Sequence, residues 1–248
     1  MAGDATFYLI TPNSGRSVSD EGWQTIELAH INIWKSAIAF LRERRVTHEN
    51  ITYAVTVDWR PILRRHQRRY SVMKYLDRSK NGQFGDRLKR ARFPRRPTRT
   101  PIAVSTTGRG SLQSDYIIES VLHDNFLIMN IAAPGCCDFY RASLAGARYK
   151  SDISLTNIHF ENTLYINLHY RWPIIQSLEL RSVISWLEKV RQGISQIPRN
   201  PAERALFALL HMAKIDVSPM MVIWQFYALE SFLQTRVGEN FSSIARRL

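Results

Sequence analysis

The chain has 248 residues, 45% of them hydrophobic, with 34 Lys and Arg against 21 Asp and Glu and a net charge of +13. That size and apolar content suit one large domain or two modest ones. Two adjacent cysteines, Cys136 and Cys137, make neither a disulfide framework nor a four-ligand metal site, so a reduced, cytoplasmic setting is expected. The N-terminal MAGDATFYLI lacks a basic and then a long apolar region, and no apolar run is long enough to span a bilayer. Neither a signal peptide nor a membrane contact is expected.

Thr6 to Ile10 reads as a short strand, followed by a turn over Pro12, Asn13, Ser14 and Gly15. Ser19 or Asp20 can cap a helix running to about Arg45. Trp23, Ile26, His30, Ile33, Trp34, Ala37, Ile38 and Leu41 form its apolar face at helical spacing. His30 falls in that stripe and reads as a packed core residue. Ile51 to Trp59 is β-branched and aromatic, hence a strand. Asp58 lies at its end, where it can hold a metal, cap the next helix or pair with Arg60.

The segment 58–109 follows. It holds 16 basic and 3 acidic residues and so carries the +13 of the whole chain, leaving 18 basic against 18 acidic residues elsewhere. A cation this concentrated is a binding face for a polyanion. Pro61 to Leu76 reads as a helix with Ile62, His66, Tyr70, Met73 and Leu76 in one stripe. Arg64, Arg65, Arg68 and Lys74 lie mostly off that stripe. Asp77 to Pro101 has two glycines, three prolines and few apolar anchors, so it reads as a basic loop carrying Arg90, Arg92, Arg95, Arg96 and Arg99. Arginine grips phosphate with a planar fork and stacks on bases. The interleaved Tyr70, Phe84 and Phe93 suit unpaired bases. The competing readings are a solvated linker, an anionic membrane surface and an acidic protein partner.

Ile102 to Ser105 reads as a strand. The run 106–111, TTGRGS, is a plain turn or a weak phosphate cradle without the lysine of a phosphate-binding loop. Asp115 to Leu122 and Phe126 to Ala132 read as a hairpin around His123, Asp124 and Asn125. Ile153 to Phe160 and Leu164 to Trp172 read as a second hairpin, which makes 100–172 the strand-rich part. His159 and His169 fall within its strands. Leu180 to Gln196 reads as a helix with Val183, Ile184, Leu187, Val190 and Ile194 on one side. Asn200 and Pro201 then cap a helix to about Lys214, and Ser218 and Pro219 start another to Arg236. The last is apolar nearly all round, which predicts that Trp224, Tyr227, Leu229 and Phe232 are mostly buried. Phe241 to Leu248 opens a further helix, and stopping inside it suggests a chain cut short or completed by a partner.

The helix ERALFALLHMAKI, a short loop, the helix MMVIWQFYALESFL and the opening FSSIARRL together resemble the start of a HEPN domain, an all-helical module of prokaryotic defence and toxin ribonucleases. The resemblance covers residues 202–248. It implies an RNA-binding or RNA-cleaving dimer in host defence. Such ribonucleases use an Arg and a His separated by four to six residues, on a helix later than any present here. Arg42 with His48, Arg60 with His66, and Arg204 with His211 meet that spacing, and Arg204 and His211 alone lie in the resembling region. They are the candidate catalytic pair, with Arg at the phosphate and His as acid or base in metal-independent cleavage.

The expectation is an α+β protein. It has a mixed domain over 1–197 with an antiparallel sheet and a basic insertion at 60–109, then a helical module over 198–248 that resembles an incomplete HEPN domain. The expected function is nucleic-acid binding, RNA favoured, in a prokaryotic defence or toxin-type system, with endoribonuclease chemistry only where the HEPN part is completed. Arg64, Arg65, Arg68, Arg90, Arg92, Arg95, Arg96, Arg99 and Phe93 are the expected contacts. A homo-oligomer or a second protein is expected to cover the C-terminal helices. The alternative is an assembly protein that docks an acidic partner. No metal or cofactor is expected.

Overall fold

A computed structural model describes residues 2–11, 23–78, 98–107, 111–134, 136, 141–144, 152–154, 177–193, 198, 200–212 and 219–234. The fold is α+β and divides into two compact units, Met1–Arg181 and Ser182–Leu248. The first holds strands β1 (Ala2–Thr11), β2 (Glu43–His48), β3 (Ile51–Val57), β4 (Thr98–Thr107), β5 (Arg141–Leu144) and β6 (Asp152–Ser154). They form one sheet in the order β2-β3-β4-β1-β5-β6, antiparallel at every pairing. Its described helices are α1 (Trp23–Phe40), α2 (Arg60–Arg78) and α3 (Ser111–Ala132), and α4 (Leu180–Gly193) begins at its end.

Alternation along the strands decides which face is covered. Tyr53, Val55 and Val57 of β3 are buried beside Ile102, Val104 and Thr106 of β4, whereas Thr56, Ser105 and Thr107 fall on the other face. Period-two alternation of this kind belongs to a sheet with one packed face and one open face. Helix α3 packs against β2, β3 and β4, and α2 packs against α1 and β4. Trp59, between β3 and α2, ties these layers together. Its ring packs against Trp34 of α1 and edge-on to Phe126 of α3, with centroids 5.7 and 5.6 Å away. Its indole N–H donates to the Leu41 carbonyl at 2.9 Å, satisfying an acceptor just past the end of α1.

Several expectations are corrected here. The helix from Ser19 or Asp20 does not continue to Arg45: α1 ends at Phe40, and Glu43–His48 is a strand that turns back through Glu49 and Asn50, both at positive φ. The expected hairpin over 115–132 is the single helix α3. Ile117, Ile118, Val121, Leu122, Asn125, Phe126 and Met129 are all buried at three- and four-residue spacing, so tertiary packing overrides their β-branched character. His123, Asp124 and Asn125 therefore sit in mid-helix rather than in a turn. The N–H of Leu178 caps the end of α3 at the Ala132 carbonyl, 2.7 Å away. The basic loop also ends earlier than expected, because Thr98–Thr107 is strand throughout. Pro101 is tolerated because β3 pairs only with residues 104–107 of β4, leaving the 98–103 stretch with β1 on one side. Cys136 is buried, its thiol 3.2 Å from the Met129 carbonyl. The expected hairpin over 153–172 and the helix from Phe241 lie almost wholly outside the described residues, apart from the start of the former in β6.

The second unit contains α5 (Pro201–Met212) and α6 (Pro219–Leu233), packed on each other. Asn200 caps α5 as its sequence position indicates. Its Oδ1 accepts from the Glu203 N–H at 2.9 Å while its amide donates to Glu203 Oε1 at 2.7 Å. Trp224 of α6 meets Phe207 of α5 edge-on at 6.1 Å. The expected burial of α6 all round is corrected: Tyr227 and Leu229 are exposed, Phe232 is 71% exposed, and Trp224 is half-buried. One packed neighbour covers one stripe of a helix, and α6 carries apolar side chains beyond that stripe.

Candidate nucleic-acid interface

Only Asp58 and Trp59 separate β3 from α2. With Trp59 anchored in the core, the next residues emerge at the open side in a fixed register. The Val57 N–H donates to the Arg42 carbonyl at 2.8 Å and the Asp58 N–H to the Ala103 carbonyl at 2.9 Å, which pins this corner between β2 and β4. Asp58 then receives three bonds from Arg60. Its Oδ1 accepts from the Arg60 backbone N–H at 3.1 Å and from Nε at 2.7 Å, and its Oδ2 accepts from Nη2 at 2.9 Å. Of the three readings open to Asp58 in the sequence, two are seen together: it pairs with the Arg60 side chain and accepts from the first backbone N–H of α2. The guanidinium hydrogen bond holds the Asp58 carboxyl below its ordinary range against a modest burial penalty, helped by the Arg60 N–H and the charges of Arg60 and Arg64. The same contact raises Arg60.

From there α2 presents Arg60, Arg64 and Arg68, all exposed, at i, i+4 and i+8. That spacing makes one row about 12 Å long. Arg65 and Arg69 are turned about a quarter circle away and are half-buried. Arg65 therefore does not join the outward row that the sequence assigned to it. Tyr70 is half-buried with the Lys74 ammonium over its ring at 5.7 Å, and Tyr75 is 70% exposed. Arg99 is exposed on β4, opposite Ile10 of β1, rather than on a loop. A cleft of about 400 Å³ opens beside Arg60, lined by Thr6, Arg42, Thr56, Asp58 and Ser105 among others. Arg90, Arg92, Arg95, Arg96, Phe84 and Phe93 lie outside the described residues.

On its inner side α2 contributes to a polar cluster that sequence reasoning missed. Glu27 of α1 is buried, with Oε2 3.1 Å from His66 Nδ1 and Oε1 3.0 Å from Arg69 Nε. His30 stacks on His66, centroids 4.6 Å apart and planes within 6°. Burial alone would raise the Glu27 carboxyl. The His66 hydrogen bond and the charges of Arg69, His66 and His30 outweigh it and hold the group below its ordinary value. An ionised carboxylate only accepts, so the proton between it and His66 sits on Nδ1. The cluster is enclosed, and it locks α1 to the helix that carries the arginine row. Arg60 and His66 share α2 but lie on different sides of it, one exposed and one buried.

The other candidate pair lies in the second unit. Arg204 is half-buried near the start of α5, and His211 belongs to the last turn of the same helix, its side chain outside the described set. Among the described residues no group of three or more His, Cys, Asp or Glu side chains is placed to hold a metal ion, and no helix is long and apolar enough to cross a membrane. Comparison of the chain with protein-family models, curated proteins and solved structures finds no match.

Proposed function

We propose that this chain binds nucleic acid, RNA by preference, through the outward face of α2 and the adjoining open face of the sheet. The observation that carries the reading is the exposed row Arg60, Arg64 and Arg68 rising from a cleft lined by hydroxyls and a further arginine. Neither Arg64 nor Arg68 has an ion-pair partner among the described residues. These two guanidinium groups, one helical turn apart, gain affinity for a phosphate backbone by releasing condensed counterions. The arginines of 90–96 add to the same polycation in sequence. A gel shift against RNA, single-stranded DNA and duplex DNA at several salt concentrations tests the reading. Binding that weakens steeply with salt and is tightest for RNA is expected. Binding to an acidic protein or peptide, with no shift of any nucleic acid, favours the assembly-protein alternative and ends this one.

The resemblance of residues 202–248 to a HEPN start adds a proposed setting, prokaryotic defence, and a proposed arrangement. In it a second copy of the chain covers the exposed apolar face of α6 on which Met220, Ile223, Phe226 and Tyr227 fall at three- and four-residue spacing. Arg204 and His211 remain the proposed catalytic pair, and the chain alone is proposed to cleave RNA poorly. Metal-independent RNA cleavage by the purified chain that is abolished by His211→Ala in a folded variant contradicts the second of these statements and promotes the pair.

A further inference from the structure

We propose that Arg60 is a stacking platform for one unpaired base of a single-stranded nucleic acid, and that the cleft beside it receives that nucleotide. The proposal rests on the nucleic-acid reading above and divides the arginines of α2 into two tasks. Arg64 and Arg68 are exposed cations suited to phosphate. Arg60 differs, because the Asp58 carboxylate already accepts from Nε at 2.7 Å and from Nη2 at 2.9 Å. A guanidinium whose charge is answered by a bidentate carboxylate has little left to offer a phosphate. Its flat face stays open to a base, and the Arg60 side chain is 64% exposed. Guanidinium planes stack on bases.

The ion pair also fixes the platform. The Arg60 backbone N–H donates to the same carboxylate at 3.1 Å, so the side chain is held at both its root and its head. A free arginine loses rotamer entropy when it stacks, whereas Arg60 has lost most of it on folding. Asp58 is itself anchored to β4 through its N–H. The cleft of about 400 Å³ lies within the size range of small-ligand pockets. Thr6, Thr56 and Ser105 share the open face of the sheet by register and line this cleft. Their hydroxyls donate or accept, so they suit the mixed edge of a base. A base inside a duplex cannot reach such a platform, so this site confers preference for single strands while the Arg64 and Arg68 row serves both forms.

The test is fluorescence anisotropy with a labelled single-stranded RNA of mixed sequence and with the same strand annealed to its complement, over a salt series. It compares the wild type with Arg60→Gln, Arg60→Lys and Arg64→Gln. Arg60 is exposed, so these variants keep the fold, which circular dichroism checks. Arg60→Gln is expected to weaken single-strand binding about tenfold while leaving duplex affinity and both salt slopes unchanged. Arg60→Lys is expected not to restore binding, because an ammonium has charge but no flat face. Arg64→Gln is expected to weaken both forms and to lower the single-strand salt slope by about 0.7. Restoration by Arg60→Lys, or a slope change in Arg60→Gln equal to that in Arg64→Gln, overturns the proposal and leaves the broader reading standing. Absence of wild-type binding to either form at low salt overturns both.

Discussion

Glu27 shows how one buried carboxylate can set the position of a functional surface. It is 1% exposed and sits between His66 and Arg69, which face the core side of α2. Removing one partner of a buried ion pair strands the other charge. Glu27→Gln keeps the volume but removes the buried negative charge that lies between His66 and Arg69, and is expected to destabilise the first unit by about 3 kcal/mol in urea unfolding. The pH dependence follows from the direction of its shift. The folded carboxyl lies below its ordinary 4.5, so the unfolded chain takes up the proton first as pH falls. Its stabilisation is present above pH 4.5 and is lost as pH drops through the folded value. Wild-type stability should therefore fall more steeply below pH 4.5 than that of Glu27→Gln, a comparison that urea titrations at several acidic pH values make directly. Asp58 is shifted in the same direction, but it is partly exposed and solvent screening keeps its contribution small. The inward positions of His30 and His66 were legible from their helical stripes, but the cluster they form with Glu27 and Arg69 was not. Glu27 and His66 are 39 residues apart, and an acidic side chain beside Ile26 reads as solvated until α2 is known to lie over it. Asp58 was legible, because a carboxylate two residues before an arginine at a strand end has few local partners.

At the scale of elements, what decided legibility was whether a residue's neighbours are local. Helices α2, α5 and α6 were legible because their starts carry Pro61, Pro201 and Pro219 and their apolar stripes keep helical spacing. Strand β2, ERRVTH, was not. It is an edge strand, and the charges that protect an edge also hide the strand in a composition reading. Helix α3 was read as a hairpin because Ile, Val and Phe favour strands where packing does not intervene, although its buried positions keep a three- and four-residue period. Asn200 allows a direct check on α5. Asn200→Ala removes both arms of the cap and is expected to lower the stability of the helix pair by about 1 kcal/mol, seen as faster amide hydrogen exchange along α5. For α6, Ile223→Ser with Phe226→Ser removes two large exposed apolar side chains of one face. If this face is where a second copy docks, light scattering should show the variant with a lower mean mass than the wild type at equal concentration. An unchanged mass contradicts that arrangement.

For the whole molecule, the cationic segment is built into the fold. Residues 58–109 carry the full +13, while the rest of the chain is balanced. The segment supplies β4, which lies between β3 and β1 in the antiparallel sheet, and α2, which packs on α1 and presents exposed arginines beside the open face. This arrangement predicts electrostatic binding whose salt dependence belongs to identifiable side chains. The most direct measurement is the salt slope of RNA affinity for the wild type and for Arg64→Gln combined with Arg68→Gln. Losing two phosphate contacts from a single strand should reduce the slope by about 1.4, with weaker binding at every salt concentration and an unchanged melting curve. Affinity and slope both at wild-type values in a folded double variant would contradict the assignment of the α2 row as the phosphate-binding surface.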